Sequence, residues 1–219
     1  MQKKDKLIRI AEHNDWVIFT LLGCIISLSL MLISLQREAS IKEYLSQSFE
    51  DSSNIFLSWF IVSAVYIISI SVLISQFIPI VPSFLRKISI FGLQLNKFGF
   101  TFVSISLFYL IKTTLSYFYF YAVRNNKSWQ KFYFTATRFY FVLAILIILG
   151  CLQQFYFPIK RLEIFQLYLL FFTIIFVFKN IFYLFHNYKI LPQTWYYKIL
   201  YICTLQIIPL LVLWKFLFY

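Results

Sequence analysis

Six stretches of this sequence are predominantly apolar over twenty or more positions, a pattern that soluble domains do not carry. A helix needs about 20 apolar residues to cross the hydrocarbon core of a bilayer. The blocks therefore predict an all-α polytopic membrane bundle. It has about six transmembrane helices plus one or two interfacial amphipathic helices. The expected spans are Trp16–Leu35, Ile55–Phe77, Phe98–Val123, Phe132–Gln153, Leu162–His186 and Tyr196–Tyr219. Met1–Asp15 reads as a basic N-terminal tail, and residues 16–219 as a single transmembrane helical domain. Composition agrees. The chain is 61% hydrophobic with a mean hydropathy of +0.79, whereas soluble domains average about 45–50% apolar. Its 219 residues suffice for one compact helical bundle.

The third span carries Lys112 well inside. An ionisable group at that depth is costly and faces protein or water. Thr101, Ser104, Ser116 and Tyr119 fall within about 80° of Lys112 on a helix turning 100° per residue, so this polar side is expected to face inward.

Along the chain, the basic start followed by an apolar run resembles a signal peptide. The run is too long and lacks a small-residue cleavage site, so it reads as an uncleaved span. Leu21-Leu22-Gly23-Cys24 has the outline of a lipoprotein cleavage box, but the residues after Cys24 stay strongly apolar. Thr20, Gly23, Ser27 and Ser34 share a face, as small residues do where membrane helices pack closely. In the loop 36–54, Ile41, Tyr44, Leu45 and Phe49 have helical spacing and Glu38–Lys42 is an i,i+4 pair, which predicts a short amphipathic helix. The acidic residues there, Glu38, Glu43, Glu50 and Asp51, read as a solvated loop rather than a docking surface.

Serines dot the second span. They either bond their own helix carbonyls or reach neighbouring helices. Pro79 and Pro82 stop that helix. Phe84–Lys97 reads as an interfacial helix, and Arg124–Lys131 as a tight basic loop containing Trp129. Gln166, Thr173 and Asn180 recur every seven residues, as a helix-packing seam does. Pro209 predicts a kink near Gln206.

The formal net charge is +12. The basic residues are scattered over short loops, with no basic domain to dock a duplex, so nucleic acid is excluded as a partner. The bilayer, including its anionic lipids, suits them better. Positive residues divide almost evenly between the two sides, so the positive-inside rule barely decides orientation. The termini are assigned to the cytoplasm because the N-terminal tail is basic and the acidic first loop suits export.

Catalytic signals are few. Cys24, Cys151 and Cys203 each lie in an apolar stretch without a CxxC, and read as buried small hydrophobes rather than a disulfide or metal site. His13 and His186 fall near opposite membrane faces, which argues against a haem between them. No HExxH, paired carboxylate, nucleophile elbow or P-loop occurs. No cofactor and no metal is implied.

One basic constellation remains. At 1.5 Å per residue, Lys112 lies about 20 Å into its helix, Arg138 about 9 Å and Lys179 about 25 Å. Because alternate helices run oppositely, all three fall in one half of the membrane, with Gln206 at a depth comparable to that of Lys112. One reading is a binding site of Lys112, Arg138, Lys179 and Gln206 for an anionic headgroup, an anionic solute or the carboxylate of a partner helix. The other has Arg138 and Lys179 snorkelling to the interface, and is favoured for those two. Lys112, deeper, is expected to face the bundle. This chain offers it no obvious intramembrane carboxylate, which points indirectly to a partner.

Asn14-Asp15-Trp16 and the run from Tyr197 to Leu211 (YKILYICTLQIIPLL) carry a resemblance. With them the chain resembles an uncharacterised family of multi-spanning inner-membrane proteins of Bacteroidota, classed as a domain of unknown function. In that family's pattern the position of Gln206 is often Glu. The departure argues against a role there for a titratable carboxylate. The resemblance implies a bacterial inner membrane and supplies no activity. The expected function is a non-catalytic integral-membrane subunit or assembly factor of a larger envelope complex, such as secretion or motility machinery. The alternative is a small transporter or anionic-lipid-binding protein using the basic cluster. Intramembrane acids for proton coupling and an inverted repeat are both missing from the sequence.

Overall fold

A computed structural model describes residues 15–36, 40–50, 52, 54–78, 89–90, 93–94, 96–123, 126–157, 161–185 and 194–218. The basic tail, Glu38, Pro79, Pro82, both histidines and the loop from 186 to 193 lie outside the described residues. Helix α1 (Asp15–Leu30) continues into a π-helical turn, Met31–Gln36. A short helix α2 (Ile41–Ser46) and a long α3 (Ile55–Ser75) follow. Two-residue strands β1 (Ser89–Ile90) and β2 (Leu93–Gln94) pair antiparallel. Then come α4 (Lys97–Ala122), α5 (Asn126–Tyr156) and α6 (Arg161–Phe185). The last span is α7 (Trp195–Tyr201), a π segment (Ile202–Ile207) and α8 (Ile208–Phe218). Six helical stretches are long and apolar enough to cross a membrane. The chain is an all-α, multi-pass membrane protein.

Two local expectations change. The interfacial helix expected over Phe84–Lys97 does not run through, since Ser89 pairs with Gln94 and Ile90 with Leu93. Gly92, between the strands, disfavours a helix, and β-branched Ile90 suits a strand. Helix α4 starts only at Lys97, where the Asn96 side chain accepts from the Gly99 N–H at 2.8 Å. The basic loop expected over Arg124–Lys131 is cut short, because α5 begins at Asn126 and takes Trp129 and Lys131 onto its first turns. Near Gln206, the sixth span accommodates Pro209 through its π segment. The Ile208 N–H reaches back five residues to the Cys203 carbonyl. The wider turn leaves room for a proline ring that would crowd the carbonyl four residues earlier.

The chain groups into two compact units, residues 1–73 with 136–159 and residues 74–135 with 160–219. The first buries stripes of small and branched side chains along its helices, together with the aromatics Tyr44, Phe141 and Phe155. Val17, Leu21, Cys24, Leu28 and Met31 form the buried stripe of α1 at three- and four-residue spacing. Ser58, Val62, Val65, Ser69 and Val72 do the same for α3, and Ala144, Ile147, Ile148 and Cys151 for α5. The Cys151 thiol lies 3.5 Å from the Ser69 carbonyl, so α3 and α5 approach closely there. Two of the serines are satisfied within their own helix, Ser58 bonding the Asn54 carbonyl and Ser71 that of Ile67.

The second unit is packed through aromatics. Phe120, Phe132, Tyr183, Tyr201 and Leu205 form one buried cluster, with Tyr119 and Trp129 against it. Phe132 sits 5.2 Å from Phe120, 5.4 Å from Tyr183 and 5.6 Å from Tyr201 between ring centroids. A second cluster joins Ile78, Phe100 and Leu217.

Candidate functional site

In the first unit, Arg138 is held by the end of a short helix. Ser40 caps α2 by accepting from the Glu43 N–H at 3.2 Å. The Gln47 N–H bonds the Glu43 carbonyl at 2.9 Å and closes the turn. The Arg138 Nη1 then donates to the carbonyls of Leu45, at 3.1 Å, and of Gln47. Its Nη2 reaches the Gln47 Oε1 at 3.4 Å. A cation at the carbonyl end of a helix is favourable, because those oxygens lack intrahelical donors. The guanidinium also lies 5.6 Å from the Tyr44 ring centroid. Tyr44 in turn packs edge-on against Phe141 at 5.0 Å. Burial pushes the Tyr44 phenol up to about 12, partly offset by the Arg138 charge. Arg138 thus neither snorkels alone nor stands ready for a soluble anion. It ties the first loop to α5.

The other three candidates belong to the second unit. Lys179 is 6% exposed, so it does not snorkel. Its Nζ lies 5.6 Å from the ring of Tyr183, one turn on. Lys112 is half-buried, with its Nζ 6.0 Å from the Phe108 ring centroid. The polar face around it points inward as expected: Thr101, Ser104 and Ser116 are buried. Gln206 is 1% exposed and sits on the π segment. Its Nε2 donates to the Tyr201 Oη at 3.0 Å, and the Ser116 Oγ lies 3.5 Å from that same hydroxyl. The Gln206 Oε1 and the Asn180 Oδ1 are both buried and take no hydrogen bond from any described residue. Asn180 donates its own Nδ2 to the Phe176 carbonyl at 2.9 Å.

The structure therefore divides the basic set. Arg138 is committed in one unit, while Lys112, Lys179 and Gln206 belong to the other. Tyr201 was not singled out from the sequence. Helical spacing gives a residue's face but not which hydroxyl a facing helix brings to it.

The residues expected to pack helices are placed variously. Gly23 and Ser34 are exposed, Thr20 and Ser27 partly so, and a Cβ added at Gly23 would meet nothing within 4 Å. Gln166 and Thr173 are also exposed, whereas Asn180 is buried. Helix α1 instead buries its Val17–Met31 stripe. Cys24 and Cys151 are buried as expected, but Cys203 is exposed. Among the described residues, no three His, Cys, Asp or Glu side chains gather as a metal site requires.

A family model described as a domain of unknown function, DUF4271, matches residues 17–217. The chain belongs to this family. The family match covers the four inner spans whole and nearly all of the first and last, including Tyr201 and Gln206. No curated protein and no solved structure matches the chain.

Proposed function

We propose that this chain is a non-catalytic, multi-pass subunit or assembly factor of an envelope complex in a bacterial inner membrane. The setting is the one implied by its resemblance to a Bacteroidota family. The observation that carries the reading is where the small and polar side chains lie. Gly23 on α1, Ser34 on the π-helical turn after it, and Gln166 and Thr173 on α6 are exposed rather than packed. Such residues are the ones through which membrane helices approach one another, since leucine gains nothing over lipid there. The two last spans leave most of their surface open as well, with 22% and 17% of a strongly apolar 18-residue stretch in each buried.

The test is a mild-detergent pull-down of the tagged protein from its native membrane, with mass spectrometry of proteins and lipids together. A stoichiometric set of membrane proteins is expected, and Gly23→Leu with Thr173→Leu should release it without loss of folded protein. Recovery of the chain alone would sink the proposal. A second reading, a small transporter or anionic-lipid-binding protein, draws on the burial of Lys179 beside Asn180 and Gln206 in one unit. A defined anionic lipid recovered with the lone protein would favour it.

A further inference from the structure

The second unit carries a polar layer beneath an aromatic one. At 1.5 Å per residue, Phe120 and Tyr183 lie about 3 Å from the ends of α4 and α6, with Tyr201 about 9 Å into the last span. The cluster they form with Phe132 therefore sits just inside one membrane face. By the same rise, Ser116 and Asn180 lie about 8–9 Å inside their helix ends, and Gln206 about 16 Å. Ser116 and Gln206 meet at the Tyr201 hydroxyl. Asn180 is one turn from Tyr183, which shares a buried cluster with Tyr201 and Leu205.

Two carbonyl oxygens in this layer, the Gln206 Oε1 and the Asn180 Oδ1, take no bond from any described residue, though both residues are more than nine-tenths buried. A buried acceptor left without a donor is expensive, and more so at membrane depth. The chemistry of the missing donor is narrow. Acceptor oxygens do not hold an anion that lacks a proton. Cations are disfavoured by Lys179, adjacent to Asn180, and by Lys112, one turn before Ser116. A neutral donor remains. We propose that the second unit holds an intramembrane site for a neutral O–H donor, bounded by Gln206, Asn180, Tyr201 and Ser116. The O–H belongs to water or to a lipid headgroup hydroxyl. The π segment is part of the site, because it carries Gln206, and such turns recur where a helix serves a ligand. The site is independent of whether the chain works within a complex.

The test is radiolytic hydroxyl labelling in ¹⁸O-water on the full chain in lipid nanodiscs, read by mass spectrometry. Tyr201 is compared with Phe141, an equally buried aromatic of the other unit, each rate being normalised to the intrinsic reactivity of its ring with hydroxyl radical. If the donor is water, Tyr201 takes up ¹⁸O several-fold faster than Phe141, and Gln206→Leu or Asn180→Leu reduces that excess. If it is a lipid hydroxyl, Tyr201 stays as slow as Phe141. Native mass spectrometry then finds a hydroxyl-bearing lipid retained by the wild type and lost from Gln206→Leu. Equal labelling with no retained lipid would overturn the proposal. Labelling and lipid retention of the wild type together decide this even if both variants fail to fold.

Discussion

The two units weight small and aromatic side chains differently at their helix contacts. In the first, serine, alanine, cysteine and valine let helices α3 and α5 approach until the Cys151 thiol reaches the backbone of Ser69. In the second, Phe120, Phe132, Tyr183 and Tyr201 fill the space between helices with rings. Inside a bilayer, helices gain little by hiding apolar surface from lipid, so each strategy must win on contact itself. Small residues win by bringing backbones close. Aromatics win by area and by tilted or edge-on ring pairs, each worth about 0.5–1.5 kcal/mol beyond burial. The aromatic solution also brings a phenol, and with it Gln206, into the interior. In the small-residue contact Ser58 and Ser71 bond carbonyls of their own helix.

This contrast predicts different sensitivities. The largest effect is expected from Phe120→Ala, which empties the centre of the ring cluster and should cost about 3–5 kcal/mol in reversible unfolding from mixed micelles. The mirror change, Ser69→Leu, tests the first unit, where overpacking should cost about 1–3 kcal/mol while Ser69→Ala costs little. If Ser69→Leu were tolerated, close packing would not be what holds α3 to α5.

Arg138→Ala should cost about 1.5 kcal/mol, the low end for charge-assisted bonds because Arg138 is only partly buried. Its sharper readout is limited proteolysis. Cleavage within residues 40–50 should accelerate, while sites in the second unit keep their rates. The smallest effect concerns pH. The folded pKa of Tyr44, about 12, lies above its ordinary value of 10. The stabilisation from keeping this phenol neutral is therefore complete below pH 10 and is lost as pH rises towards 12. The tyrosinate absorbance of wild type minus Tyr44→Phe should report a transition near 12. A transition near 10 would mean that α2 is not docked.

The spans were legible in the sequence because length and apolarity alone define them, and their observed limits differ from the expected ones by a few residues. The inward face of α4 was legible too, since Thr101, Ser104 and Ser116 share one side of a helix whatever surrounds it. What the sequence could not give was partnership across helices. Arg138 and Lys179 have the same charge and similar distances from helix ends, yet one is spent on the carbonyls of α2 and the other is buried beside Tyr183. Only the approach of another helix separates them. The same holds for α1. Its small residues suggested the packed face, while the buried one is the stripe from Val17 to Met31.

The π segment has a consequence for register. A π turn holds one residue more than an α turn, so Ile202–Ile207 acts as a single-residue insertion in the last span. Everything after it is rotated by on the order of 100° relative to an unbroken helix. Leu217 reaches Ile78 and Phe100 only in that rotated phase. Deleting one residue from the segment would leave composition and hydropathy almost untouched and still permit a membrane span. It would nonetheless swing Leu217 off its neighbours and carry Gln206 away from Tyr201.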